Sequence, residues 1–255
     1  GHSYELPSRN RSILVGLIRD LNSPLATRFE LRSPNPLSNT YLVIAGAYQT
    51  IIHGIKAVAE SKLGTKELEK ELSKDIGENS FYLEKNRAYR DENDVFEDYE
   101  EEERNQRFST PPATVYENMK NLETQSYKLE SLTQGNVFSD KIIDSFKVGA
   151  IDKWKKELKN RIIQDNIDII RSLKKLHIND DMDVLDEVLW EEINYIKHYL
   201  MKDTMNKKSL FTRIKDSIEI KDYETASNLQ IEMKKKMKSP ILHYCEVMSR
   251  MGFFA

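Results

Sequence analysis

Two arginines and a glutamate stand at alternate positions of one short stretch: Arg28, Glu30 and Arg32. Side chains alternate across a β-strand, so these three would share one face, and Phe29 and Leu31 would share the other. Guanidinium groups on either side of a carboxylate offer donors for phosphate or carboxylate oxygens, and one oxygen ligand for a divalent cation. Such a face suits a nucleotide phosphate bridged by a metal ion. An exposed strand whose charges only pair with a neighbour would show the same pattern.

The residues just upstream predict how this strand is held. Residues 12–20 are mostly β-branched or apolar, and residues 21–24 supply turn formers before the charged strand. Together these features predict an antiparallel hairpin with a long connection. Neither G-x-G-x-x-G nor a P-loop occurs in the chain, so arginines would have to bind any phosphate.

Residues 37–59 are apolar on nearly every side, which predicts a helix packed within the protein. Asn35 or Ser38 is the expected cap of this helix. With no second His or Cys at metal spacing, His53 is expected to be a core histidine. Three polar side chains argue against a membrane span here: Gln49, His53 and Lys56.

Composition limits the class of protein. The chain has 255 residues, a formal charge of −3, nine Gly and seven Pro, which favours a helical protein with a sizeable core. We therefore expect a mainly α fold, a helical bundle with a small antiparallel β-hairpin. The near-neutral charge argues against a nucleic-acid surface. The lone Cys245 suits a reducing cytoplasm, and neither a signal peptide nor an apolar span of bilayer length is expected.

Four short motifs resemble those of one enzyme family. Asn10-Arg11-Ser12, the stretch Arg28 to Pro36 and Asn39-Thr40-Tyr41-Leu42 are similar to N-R-S, R-x-E-x-R-x-P-x-P and N-P-Y-L, the C-terminal catalytic motifs of glutamine synthetase. Residues 135–140 resemble the G-x-V-F-T-D entry to the last helix of that family. The resemblance covers about residues 3–160. Since the chain begins Gly-His-Ser inside a motif region, we expect a piece of a longer protein.

The resemblance implies roles for four residues. Arg28 matches the arginine beside the nucleotide, and Glu30 matches a metal-binding glutamate. Arg32 matches the arginine at the reacting phosphate and the glutamate carboxylate, and Arg11 matches a further phosphate-contacting arginine.

Two positions depart from the family pattern. A family arginine falls on Gly16 and a nucleotide-side lysine falls on Leu25. Arg19 is a possible substitute for that arginine, although nothing in the sequence shows it.

The resemblance implies the function as well. The whole enzyme would use ATP and Mg²⁺ or Mn²⁺ to join ammonia to glutamate through a γ-glutamyl phosphate, and would be a cytoplasmic homo-oligomer. The remaining metal ligands and the ammonium site would lie upstream, so this chain alone is expected to be inactive. The alternative is a noncatalytic helical module for protein interaction or oligomerisation that retains a relic of the ligase motif.

The acidic run from Glu97 to Glu103 is expected to be a solvated helix face or a mobile loop, with a carboxylate metal site as the alternative. The regulatory tyrosine motif N-L-Y-D-L-P of some bacterial relatives is missing from this region. Tyr82, Tyr89 and Tyr99 therefore inherit no role from it.

The last third extends past the resemblance, so the predicted domains are residues 1–160 and 161–255. Asp180 or Asp181 is expected to open one helix. Residues 210–233 then predict an antiparallel helical hairpin around a Lys221-Asp222 turn. This hairpin resembles the UVR motif, which leaves a partner role and simple intramolecular packing both open. The apolar tail 241–254 is expected to dock on the bundle or on another subunit.

Overall fold

The computed structural model describes residue 12 and residues 14–18, 22–91, 93–175 and 184–250, without the side chains of 184–186 and 239–250. The fold is mainly α, with 64% helix and a two-stranded antiparallel sheet, as the sequence predicts. The elements are β1 (Val15–Ile18), β2 (Arg28–Leu31), α1 (Thr40–Ser61), α2 (Thr65–Leu72), α3 (Glu101–Phe108), α4 (Val115–Thr124), α5 (Glu130–Thr133), α6 (Asp140–Glu157), α7 (Ile163–Ser172), α8 (Val184–Met201), α9 (Leu210–Glu219) and α10 (Tyr223–Arg250).

Strands β1 and β2 form the predicted hairpin. Val15 pairs with Leu31 and Ile18 pairs with Arg28, and a 3₁₀ turn at Pro24–Ala26 lies in the connection between the strands. The pairing extends one residue further, because the N–H of Arg32 donates to the carbonyl of Leu14 at 2.9 Å.

Helix α1 corrects two predictions. Its cap is Asn39, whose side chain accepts hydrogen bonds from the N–H groups of Tyr41 and Leu42, and not Asn35 or Ser38. The helix is also not packed within the protein, because Gln49 is its one buried residue. The apolar spacing predicts which residues share a face of the helix. It does not predict whether another element of the described chain packs against that face.

The chain packs as two compact units. Unit 1 contains residues 1–111 and 127–139, and unit 2 contains residues 112–126 and 140–255. These two units are defined by packing, whereas the predicted boundary at residue 160 marks where the family resemblance ends. That domain boundary stays a prediction.

In unit 1, a buried lysine fixes the loop that follows α2. Lys74 is 6% exposed, and its Nζ lies 2.9 Å from the carbonyl oxygen of Arg87, 3.2 Å from that of Lys85 and 3.4 Å from that of Asp75. The ammonium thereby joins the end of α2 to a segment more than ten residues further along the chain.

Unit 2 is built around one apolar core. Helices α6 and α7 are joined by a π-helical turn at Leu158–Ile162, and Leu158 and Ile163 at this turn are fully buried. Two buried polar contacts fix helices from distant parts of the sequence. Trp154 Nε1 donates to Gln230 Oε1 at 2.8 Å, and the hydroxyls of Thr114 and Ser227 lie 2.6 Å apart.

The helical hairpin of the last third forms as predicted, with α9 and α10 flanking the turn at Lys221 and Asp222. Its apolar residues, among them Leu210, Ile214 and Ala226, are buried in the core of unit 2. This burial favours intramolecular packing for the UVR-like segment. Asp180, Asp181 and the side chains of the apolar tail, Cys245 included, lie outside the described residues.

Candidate functional site

The charged face of β2 has the geometry that the sequence predicts. The residues of β2 are extended, so Arg28 and Glu30 project to the same side, and Arg32 follows them in register with β1. Arg32 Nη2 lies 3.1 Å from Glu30 Oε2, with side-chain exposures of 22% and 44%. The carboxylate and one guanidinium therefore form a half-exposed ion pair.

Arg28 lies at the more open end of this face. Its side chain is exposed, and Nη1 donates to the carbonyl of Ala26 at 3.4 Å, a long contact within the same turn. Most of the five donors of this guanidinium therefore face solvent, where an anion could be bound.

Strand β1 contributes almost no polarity to the face. Directly opposite Arg28 and Glu30 are Ile18 and Gly16. Leu25, the other departure from the family pattern, is 99% exposed in the connection between the strands. The charge of the described site thus comes from β2.

The donor set fits part of a metal–phosphate site. Two guanidinium groups suit phosphate oxygens, and one carboxylate gives a single hard oxygen ligand. Within the described residues, no three His, Cys, Asp or Glu side chains lie close enough together to hold a metal ion, and this includes the acidic run around α3. Any metal held by Glu30 would therefore need ligands from outside these residues.

Arg11, the fourth predicted site residue, lies outside the described residues, as does Arg19. The structure therefore places Arg28 and Glu30 on one side of β2 and pairs Glu30 with Arg32, and the place of Arg11 in the site stays a prediction.

His53 is half-buried, with its ring within 2.9 Å of the hydroxyl of Tyr82 and edge-on to the tyrosine ring. The contact joins α1 to the loop that follows α2. The histidine thus has a hydrogen-bonding partner, although it does not lie in the core.

Paired guanidinium groups beside one carboxylate have the chemistry that phosphate oxygens and a divalent cation require. Residues 4–130 match the family model described as the glutamine synthetase catalytic domain, which supports the predicted resemblance of this part of the chain to the C-terminal part of a glutamine synthetase. Comparisons with curated proteins and with solved structures find no match.

One feature of unit 1 was not predicted from the sequence, the outward-facing apolar side of α1. Of the helices in the described ranges, α1 alone is long and apolar enough to cross a membrane by length and composition, contrary to the expectation that no such span exists. The three- and four-residue spacing of its apolar side chains was the signal that could have identified this surface.

Proposed function

We propose that this chain is the C-terminal portion of a glutamine synthetase, which ligates ammonia to glutamate at the expense of ATP. The observation that carries the proposal is the placement of Arg28, Glu30 and Arg32 on one accessible strand face, within the segment that matches the catalytic domain of that family. The proposed site binds substrates that are all small and mostly anionic.

Each side chain has a distinct task in this proposal. Transfer of the γ-phosphoryl group of ATP to the γ-carboxylate of glutamate brings together groups that repel each other. Arg32 would neutralise the transferring phosphoryl group and the carboxylate, and Arg28 would bind the nucleotide phosphates. Arg11 would add a further donor to the phosphate.

Glu30 would be one of several ligands to Mg²⁺ or Mn²⁺, which would supply additional positive charge at the transferred phosphate. Its ion pair with Arg32 keeps the carboxylate and the guanidinium in register before either binds a ligand. Ammonia would then displace phosphate from the acyl phosphate, which forms the amide of glutamine.

The described face provides one metal ligand, and the resemblance implies that the remaining ligands and the ammonium site lie upstream of this chain. We therefore propose that the 255-residue chain alone forms no glutamine. We also propose that the complete protein is a cytoplasmic homo-oligomer that does not bind nucleic acid or a membrane.

The decisive experiment replaces Arg28 in the complete protein. Arg28→Ala should lower ATP- and ammonia-dependent glutamine formation by at least about 100-fold, because it removes a charge-assisted contact to the nucleotide. Arg28→Lys, which keeps the charge but not the guanidinium geometry, should recover part of the activity. Arg171→Ala, at an exposed position of α7, is the matched control and should leave activity unchanged.

One observation favours a second candidate, a noncatalytic helical module. Gly16 replaces a family arginine directly opposite Glu30, so the face carries one positive charge fewer than the family pattern. If the ligase motif is only a relic, the complete protein with Arg28→Ala should form glutamine at the same rate as the unchanged complete protein. Two rates of zero would count as the same result. That result would rule out the ligase function and favour the noncatalytic helical module.

A further inference from the structure

Ser12, the last residue of the N-R-S motif, is bound by a segment far along the chain. Its hydroxyl oxygen accepts a hydrogen bond from the backbone N–H of Val95 at 3.1 Å, and the contact is half-buried. The carbonyl of Val95 in turn accepts a long hydrogen bond from Arg104 Nη1 of α3 at 3.4 Å. The start of the hairpin that carries the site is thereby tied to the segment before α3.

That segment is braced by its own side chains. We call residues 93–99 the tether loop. The N–H of Asp98 donates to the carbonyl of Asp94 at 2.9 Å, and the N–H of Asp94 donates to Asp98 Oδ2 at 2.7 Å. The N–H of Phe96 donates to Asp94 Oδ1 at 2.9 Å. A loop whose carboxylates bind its own backbone N–H groups holds its shape without a neighbouring strand.

The tether loop is also anchored to the end of α3. The hydroxyl of Tyr99 donates to Asp91 Oδ2 at 2.8 Å and accepts from the side-chain amide of Asn93 at 3.2 Å. The side chain of Asp91 is 9% exposed and lies 3.6 Å from Arg107 Nη2, and the ring of Tyr99 is edge-on to that of Phe108. The tether loop is therefore a fixed point to which Ser12 is bound.

Ser12 lies between the two arginines that the proposed function assigns to the phosphate. It follows Arg11 directly in the chain, and consecutive Cα atoms are only about 3.8 Å apart. The carbonyl of Leu14, two residues after Ser12, accepts the backbone N–H of Arg32 at 2.9 Å. A bond that fixes the chain at Ser12 therefore limits the positions open to Arg11 and supports the strand pairing beside Arg32.

We propose that Ser12 is a positioning residue for phosphoryl transfer, which acts by binding the tether loop through the N–H of Val95. This role rests on the proposed function and deepens it. The hydrogen bond would hold the phosphate-contacting arginines in place before the substrates bind. Since those arginines act on charge that develops during transfer, loss of the bond should lower kcat and leave the KM for ATP nearly unchanged.

The first test replaces Ser12 in the complete protein. Ser12→Ala should lower kcat about 3- to 10-fold, the usual size of the effect of one hydrogen bond, with the KM for ATP changed less than about 2-fold. Ser12→Thr keeps the hydroxyl and should recover most of the kcat. Ser61→Ala is the matched control, because that hydroxyl also accepts a backbone N–H, from Leu63 at 3.2 Å, and it should leave kcat unchanged.

A double-mutant cycle tests whether the tether loop acts through Ser12. Tyr99→Phe removes the hydroxyl that binds Asp91 and Asn93, and should lower kcat about 3-fold in the unchanged protein. In the Ser12→Ala protein it should lower kcat no further, because the loop is already uncoupled from the motif. Tyr82→Phe, which removes a hydroxyl bound to His53, is the control and should leave kcat unchanged in both backgrounds.

Hydrogen exchange of the 255-residue chain provides a readout that does not depend on catalysis. Ser12→Ala removes the acceptor of the Val95 N–H, so peptides covering the tether loop should exchange about 3- to 10-fold faster. Ser61→Ala should leave this exchange unchanged. Mass spectrometry of the two variants beside the unchanged chain gives the comparison.

The outcomes separate this role from the ligase itself. If the complete protein forms glutamine but Ser12→Ala leaves kcat and exchange unchanged, the positioning role is wrong and the ligase stands. A fall in kcat that Ser12→Thr does not reverse, or additive losses in the double variant, would also overturn it. If the unchanged complete protein forms no glutamine, the proposed function fails and the positioning role fails with it, and faster exchange would then show a structural bond only.

Discussion

Gly16 of β1 lies directly opposite Glu30 of β2 in the antiparallel pair. Glycine presents no side chain to its cross-strand neighbour, so β1 offers the Glu30 side chain neither a charge nor a side-chain hydrogen-bond donor from that position. One ion pair of the carboxylate runs along its own strand, to Arg32. Arg32 therefore helps to orient the carboxylate, which leads to the first prediction.

Glu30→Gln should separate stability from function. The Glu30–Arg32 pair is half-exposed, so its loss should change the free energy of unfolding of the chain by less than about 1 kcal/mol. In the complete protein, the Mg²⁺ concentration for half-maximal glutamine formation should rise at least about 10-fold. Glu69→Gln, which breaks the comparable 3.8 Å pair with Arg90, is the control and should not shift the Mg²⁺ dependence. An unchanged requirement for Mg²⁺ in Glu30→Gln would remove Glu30 from the metal site.

Lys74→Met should loosen the loop between α2 and α3. The substitution leaves three carbonyl groups without the ammonium that now lies among them, which costs about 1–3 kcal/mol of local stability. Hydrogen exchange measured by mass spectrometry over residues 73–91 should accelerate about 5- to 150-fold. Lys70→Met, at an exposed position of α2, should leave that exchange unchanged. Equal rates in the two variants would show that the buried ammonium does not fix the loop.

The contact between Trp154 and Gln230 should behave as a coupled pair. Gln230→Leu leaves the indole N–H without its buried acceptor, and should reduce the free energy of unfolding by about 1–3 kcal/mol. Trp154→Phe should also destabilise, but the double variant should lose less than the sum, by about 1 kcal/mol. Urea unfolding followed by circular dichroism gives all three values, with Gln164→Leu on the exposed side of α7 as control. Strict additivity would contradict the coupling.

Asp203 should make the hairpin of α9 and α10 sensitive to acid. Hydrogen bonds from Ser209, at 2.7 Å from its backbone N–H, and from the hydroxyl of Thr212 hold the pKa of Asp203 below its ordinary value. A carboxylate whose folded-state pKa is lowered stabilises the fold above its unfolded pKa, near 3.9, and loses this effect as the pH falls through the lowered value.

The free energy of unfolding should therefore fall less steeply between pH 5 and pH 2 in Asp203→Asn than in the unchanged protein. Asp144→Asn removes another exposed carboxylate of unit 2 and should keep the original slope at these pH values. The idea fails if Asp203→Asn and the unchanged protein lose stability in parallel.

Local patterns in the sequence predict much of this fold. Alternating charge at Arg28, Glu30 and Arg32 identifies the face of a strand, because alternation is a property of the strand itself. The turn at Lys221 and Asp222 is equally local, since the apolar spacing on each side defines both helices of the hairpin. In each case the signal and the structure involve the same short segment.

The surroundings of α1 were not predictable in this way. Its apolar spacing shows which side chains share a face, but not whether another element covers that face. The two hydrogen bonds that anchor the helix run from Gln49 to carbonyl groups more than eighty residues away. Contacts of that range leave no periodic signal in a single sequence. The hydrogen bond between Trp154 and Gln230 was not predictable for the same reason, because it also joins residues far apart in the sequence.

The order in which the chain contributes to its two units has a practical consequence. Residues 112–126 belong to unit 2 but lie between two segments of unit 1, so the chain crosses between the units three times. No single cut of the polypeptide separates the two units from each other. Truncated versions designed by dividing the gene at one position would carry an incomplete core on at least one side, and a protease nick in a crossing segment would leave the fragments held together by packing.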